Sequence, residues 1–263
     1  ISPRLLKQSS MEEWLEIFSL VDGAIPKYSI YKLGGITPKK VGLLEDLGID
    51  IINDIPLDFD LSEKQLKQVM AVKSGKPEIH REEILDFLST FEFPLHFFDY
   101  ETMASVIPTF DGTRPYQQIP FQYSLHIQKV PGGSLTHKEY LHTGNSNPVF
   151  SLLKKMREDF EDKGMVVSWY KQFEMKRNDE MAMMYPEFTD FLKNLNNRMV
   201  DLMTPFSKGW FVDKDFFGSA SLKAVLPVLV SELSYKELEV SHGGLAHRVC
   251  IDNVFNGKNI ENK

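Results

Sequence analysis

Residues 94–128 read PLHFFDYETMASVIPTFDGTRPYQQIPFQYSLHIQ. The stretch begins as an apolar strand, carries Asp99 and Glu101 two residues apart at its end, and passes through a Gly- and Pro-marked loop into a second strand. Residues i and i+2 of a strand share a face, so both carboxylates point the same way. Two like charges on one face of an apolar strand repel each other and resist burial. A divalent cation is the usual compensation. The plainer alternative is a pair of acids at a solvated strand end, and the pair alone does not decide between the two.

Outward from this stretch, strands are expected at 95–99, 121–128 and 135–142, with Pro131-Gly132-Gly133 turning between the last two. Three strands in a row suggest an antiparallel meander. Asn147 followed by Pro148 then predicts the start of a helix running to Lys163, where Gly164 stops it. A buried-type strand at 165–169, helices at 173–184 and 188–195, and a strand-like MVDLM at 199–203 follow, with helical patterns again at 221–230 and 245–255. Three antiparallel strands, a helix, a parallel strand and more helices give the α/β order of a ribonuclease-H-like mixed sheet flanked by helices. Residues 1–90 read instead as a helical region. Ser10 caps an amphipathic helix, and 37–56 with the helix at 61–73 resembles a helix-hairpin-helix unit of the kind that grips a nucleic-acid backbone through turn amides and a lysine. A plain packing module accounts for the same pattern.

The chain of 263 residues is long enough for one large domain or a domain with a small companion, here expected as 1–90 and 91–263. The formal net charge of −7 and the lack of a basic block remove any global electrostatic reason for tight binding to nucleic acid or an anionic membrane, while local basic patches stay open. One cysteine, Cys250, excludes an internal disulfide and a Cys-rich metal site, which suits the cytoplasm. The longest late apolar run, 224–230, is interrupted by Pro227 and is far too short to span a bilayer. The start at Ile1 and the end at GKNIENK are expected to be cuts in a longer protein.

An apolar strand ending in DxE is the first motif of the DnaQ-like 3′-to-5′ exonucleases, and FFDYETMASVIPTFDGTRPYQQIPFQYSLH resembles the signature of a bacterial family of that superfamily. The resemblance extends from Lys39 to about Ala246 and includes IPLDFDLSEKQ, VKSGKP, MVDLMTPF and LPVLVSELSYKELEV. It implies a nuclease acting on DNA or RNA, with two Mg²⁺ or Mn²⁺ ions roughly 3.5–4 Å apart held by carboxylates from several elements. In that family a RecB-type nuclease half often precedes the DnaQ-like half, so such a half is an expected partner within the longer protein.

The resemblance carries over residue by residue. Asp99 and Glu101 supply the first metal ligands. The second motif, NxxFD, aligns with Tyr170-Lys171-Gln172-Phe173-Glu174, so Tyr replaces the Asn and Glu174 keeps the charge with one more methylene. Asp201 in MVDLM resembles the aspartate that follows this motif, and a capping role is the other reading. The third motif, YxxxD or HxxxxD, has its spacing in His247 and Asp252, although the family's own YxxxD is expected past Lys263. Arg114, Tyr116, Gln117 and Gln118 are candidates to line a nucleotide cleft through guanidinium–phosphate, stacking and amide contacts, or to pack the loop beneath them. His96, His126, His137 and His142 have no metal-ligand spacing and read as core or surface groups. A ribonuclease-H-like scaffold that has lost its ligands and binds nucleic acid or a protein partner is the competing expectation.

Overall fold

The computed structural model describes residue 20 and residues 25–233. Contacts divide these into two compact units, residues 25–87 with 204–233 and residues 88–203. The first unit opens with a 3-10 turn, Ile30–Lys32, and helix α1 (Pro38–Asp46), which Thr37 caps by accepting a hydrogen bond from Lys40 N at 3.3 Å, with Pro38 in the first turn. Helix α2 (Glu63–Ser74) has a capping box, Ser62 with Gln65, and ends at Gly75 in the left-handed conformation, φ 68°. Ile30, Leu33, Val41, Leu44, Ile52, Ile55 and Val69 form this unit's core. The buried amides of Gln65 and Gln68 donate to the carbonyls of Gly34 and Lys32, and Gln68 Oε1 accepts from Gly34 N at 2.8 Å. Short strand β1 (Glu78–Ile79) and helix α3 (Arg81–Ser89) follow.

The segment that resembles a helix-hairpin-helix is tied together by its own backbone. Sixteen residues, 47–62, separate α1 from α2 and include a 3-10 turn at Ile52–Asp54. The turn amides of Leu47, Gly48 and Ile49 donate to carbonyls of α1 itself, and Lys40 and Lys73 reach the carbonyls of Asp60 and Asn53. Each of these groups makes a bond inside the unit.

The second unit is a five-stranded sheet. Strands β2 (Leu95–Met103), β3 (Ile119–Gln128) and β4 (Leu135–Leu141) form the antiparallel meander. Helix α4 (Val149–Asp159) leads to β5 (Met165–Ser168), helices α5 (Lys171–Met184) and α6 (Thr189–Asn197) follow, and β6 (Met199–Asp201) completes the sheet. The strand order is β4-β3-β2-β5-β6, with β5 parallel to both β2 and β6. This is the mixed ribonuclease-H-like arrangement expected from the order of elements.

The pleat of β2 separates two functions. His96, Phe98 and Tyr100 are buried and face a core with Tyr123, Leu125, Leu152, Leu153, Met156, Met181, Leu192 and Leu195. Phe97, Asp99 and Glu101 alternate to the less buried face, where Ser124 and Gln122 are the cross-strand partners of the two acids. A bulge between Glu101 and Thr102 ends the regular register just after the acidic pair.

Helix α4 is shorter than its sequence pattern. It ends at Asp159 instead of continuing to Lys163, because Phe160 turns extended and places its ring 5.6 Å from His96 and 5.1 Å from Phe98. Asn147 accepts from Val149 N at 3.1 Å, while Pro148 stands at the cap and not inside the helix. Gly164 acts later, before β5, with φ 81° and its backbone so close to Pro94 that a Cβ would lie 2.7 Å from Pro94 N. Gly164→Ala therefore strains φ and pushes β5 from β2. It is expected to cost about 2 kcal/mol, read as a lower thermal unfolding midpoint by circular dichroism.

From Thr204 the chain returns to the first unit through helix α7 (Thr204–Ser207), strand β7 (Phe211–Val212) and helix α8 (Leu222–Leu229). The expected boundary near residue 90 thus covers only one of two crossings. Strand β7 pairs antiparallel with β1, and Gly34 and Gly218 touch so closely that a Cβ on Gly34 would lie 2.6 Å from Gly218 O. The helices expected from Ser10 and over 245–255 lie outside the described residues. No helix among the described residues is long and apolar enough to cross a membrane.

Candidate active site

Parallel strands deliver their C-terminal ends, and the loops that follow them, to one edge of a sheet, where α/β proteins place ligands. Here that edge holds the ends of β2, β5 and β6. Glu174 lies in the first turn of α5, directly after β5, and is only 2% exposed. Its carboxyl meets that of Asp99, on the neighbouring strand, so the pair joins a strand residue to a helix residue 75 positions later.

The electrostatics follow from this meeting. Burial, then the Asp99 charge, then the hydrogen bond to Asp99 raise the Glu174 carboxyl well above the usual carboxylate range; Arg177 and the Tyr100 backbone amide oppose the rise. Asp99 keeps solvent access at the sheet surface but is crowded enough for desolvation to raise it too, while its hydrogen bond with Glu174 pulls it down. Both shifts favour one proton kept between the two carboxyls over two bare charges. No N–H or O–H donor of a described residue reaches Glu174 Oε2. Arg177, whose charge opposes the rise, is itself paired with Glu180, which accepts from its Nε at 2.9 Å.

Most of the other expected residues engage partners of their own. Glu101 shares the face of Asp99 on β2. Asp201 ends β6, and its Oδ1 accepts from Tyr170 N at 2.9 Å and Met203 N at 3.0 Å, so it clamps the loops after β5 and β6. This is the capping role. Arg114 is committed to Glu180 at 2.9 Å, Gln117 Nε2 to Met184 Sδ at 3.7 Å, and Gln118 accepts from Thr102 at 2.7 Å, so all three tether the β2–β3 loop. Tyr116 projects outward, and the Arg114 side chain stays largely exposed despite its pairing with Glu180. His247 and Asp252 lie outside the described residues.

The histidines divide as core and surface groups. His96 is buried, His142 bonds the Tyr140 hydroxyl at 3.1 Å, and His126 stacks on His137 across β3 and β4 with centroids 4.3 Å apart. Sequence reasoning missed the buried Arg177–Glu180 pair that anchors Arg114, although its i,i+3 spacing on a helix was a readable signal. It also missed the backbone conformation of Tyr170, for which sequence offers no signal.

A hard cation fits the Asp99–Glu174 pair: two carboxylates from different elements converge, and one buried oxygen has no donor among the described residues. Among the described residues no three His, Cys, Asp or Glu side chains form a metal-binding group, so a two-ion set is not assembled from them.

Residues 96–221 match the model of a family described as Domain of unknown function (DUF2779). The match begins inside β2 and spans Asp99, Glu101, Glu174 and Asp201. No curated protein matches the chain. No solved structure matches it.

Proposed function

We propose that the chain is a divalent-metal-dependent nuclease that hydrolyses phosphodiester bonds of DNA or RNA as a 3′-to-5′ exonuclease in the cytoplasm. The observation that carries this reading is the buried meeting of Asp99 and Glu174 at the C-terminal edge of β2 and β5, with Glu174 Oε2 lacking any donor among the described residues. Asp99 and Glu174 would hold Mg²⁺ or Mn²⁺, whose hard character suits carboxylate oxygens. When bound, the ion supplies Lewis-acid polarisation of the phosphate and a more acidic water. Glu174 contributes a carboxylate that releases its proton when a cation replaces it, and Glu101 adds negative potential on the same face. Asp201 holds the loop after β5 in place through two amides.

The test is degradation of a single strand labelled at its 5′ end. Stepwise shortening that needs Mn²⁺ and is abolished in Asp99→Ala supports the reading, and intact substrate under these conditions overturns it.

A non-catalytic scaffold that binds nucleic acid or a protein is the second reading, favoured by the use of Asp201 as a clamp and by the absence of a third ligand among the described residues. Calorimetric titration with Mn²⁺ separates the two, since a scaffold without a site gives no binding heat.

A further inference from the structure

Three residues other than glycine hold a positive φ among the described residues, and all are aromatic: Tyr116 at 59°, Tyr170 at 67° and Phe217 at 50°. The left-handed region disfavours L side chains, and Gly or Asn occupies it at least cost. A bulky residue persists there only where its surroundings over-determine it, and such outliers cluster at ligand sites. Phe217 is repaid within the protein, with the Lys32 ammonium 5.1 Å and the Tyr28 ring 6.2 Å from its ring centre.

The two tyrosines receive no such return. Tyr116 is 68% and Tyr170 52% exposed. Among the described residues neither ring nor hydroxyl has a hydrogen-bond, stacking or cation–π partner. Their backbones are nonetheless fixed, with Tyr116 N donating to Ser105 O at 2.8 Å and Tyr170 N to Asp201 Oδ1 at 2.9 Å. Both lie in loops that leave adjacent parallel strands, Tyr116 after β2 and Tyr170 after β5, and so at the same sheet edge. Arg114 ties the first loop to α5 through Glu180, and Glu174 is one helical turn beyond Tyr170.

We infer that Tyr116 and Tyr170 are stacking platforms for unpaired bases of a single-stranded nucleic acid whose backbone reaches the Asp99–Glu174 pair. The inference rests on the nuclease reading and names its substrate as single-stranded. Any base presents a π-face to such rings, whereas bases stacked and paired in a duplex do not. Rings whose backbone is already fixed lose little freedom on binding.

The experiment is fluorescence anisotropy with a short labelled single strand of mixed sequence in EDTA, which excludes cleavage. Tyr116→Asn and Tyr170→Asn keep a residue that tolerates the left-handed backbone, so the fold is retained while the ring is lost. Each is expected to weaken binding by about fivefold or more, the range of one lost base–aromatic stack. Tyr→Phe at either position should bind as wild type, and a duplex of the same length should bind more weakly than the single strand. Asn variants that bind like wild type, or Phe variants that lose as much as Asn, overturn the inference. If the Asn variants bind normally while Asp99→Ala still abolishes Mn²⁺-dependent cleavage, the stacking role falls and the nuclease reading stands. If the wild-type chain neither binds the strand nor cleaves it, both fall.

Discussion

Mn²⁺ at a hundredfold excess over its dissociation constant is expected to stabilise the wild-type chain by about 2.7 kcal/mol, and Glu174→Gln or Asp99→Ala to remove that gain. The reason is the shared proton. In the absence of a cation, two crowded carboxyls avoid repulsion only if Glu174 keeps a proton and donates it to Asp99, which is why burial and the Asp99 charge raise Glu174. A divalent ion held by the two carboxylates would take the place of that proton and neutralise the pair. Glutamine preserves the shape of the protonated side chain but has no anion to offer. The metal-free Gln variant should therefore unfold at or above the wild-type temperature while ignoring Mn²⁺. Binding must also release a proton, seen as a calorimetric enthalpy that varies with the ionisation heat of the buffer. A thermal shift that survives in Glu174→Gln, or a binding heat blind to the buffer, would place the ion elsewhere.

Acidification between about pH 6.5 and pH 4 should cost about 3 kcal/mol of stability through His96 alone. This side chain is 0% exposed, stacks on Phe160 and bonds the Met165 carbonyl through Nδ1 at 3.2 Å, while Nε2 has no partner among the described residues. Desolvation lowers its pKa from 6.5 to about 4, against the pull of the Met165 bond. The unfolded chain therefore takes up a proton that the folded chain refuses. Stability is complete above 6.5 and is lost as pH falls toward 4. His96→Leu should lower stability at pH 7, since it strands the Met165 carbonyl, and yet flatten this step. Chemical denaturation at several pH values gives the comparison. An unchanged slope between pH 6.5 and 4 in the variant would assign the acid sensitivity to other groups.

Much of the fold was legible because it depends on local patterns. The strands beginning near 95 and 121, the Pro131-Gly132-Gly133 turn and the helix over 61–73 each follow from patterns a few residues long, and the structure has each near its expected place. The end of α4 was not legible. Its helical pattern runs on to Lys163, and only the docking of Phe160 between His96 and Phe98 ends it at Asp159. The return of residues 204–233 to the first unit depends on the pairing of β7 with β1, a contact between segments more than a hundred residues apart.

The candidate site divides along the same line. Period-two geometry put Asp99 and Glu101 on one strand face, and side-chain chemistry marked Arg114, Gln117 and Gln118 as groups able to bind a ligand. Whether they are available to do so is a question of neighbours, and Glu180, Met184 and Thr102 already hold them. The sequence by itself determined which residues carry charge, which share a strand face and in what order strands and helices follow. Only the tertiary structure decided that Glu174 meets Asp99, that Asp201 is a clamp and that Tyr116 and Tyr170 are held with their rings outward. Periodicity acts through adjacent bonds, whereas these meetings are set by the register of strands that are distant along the chain.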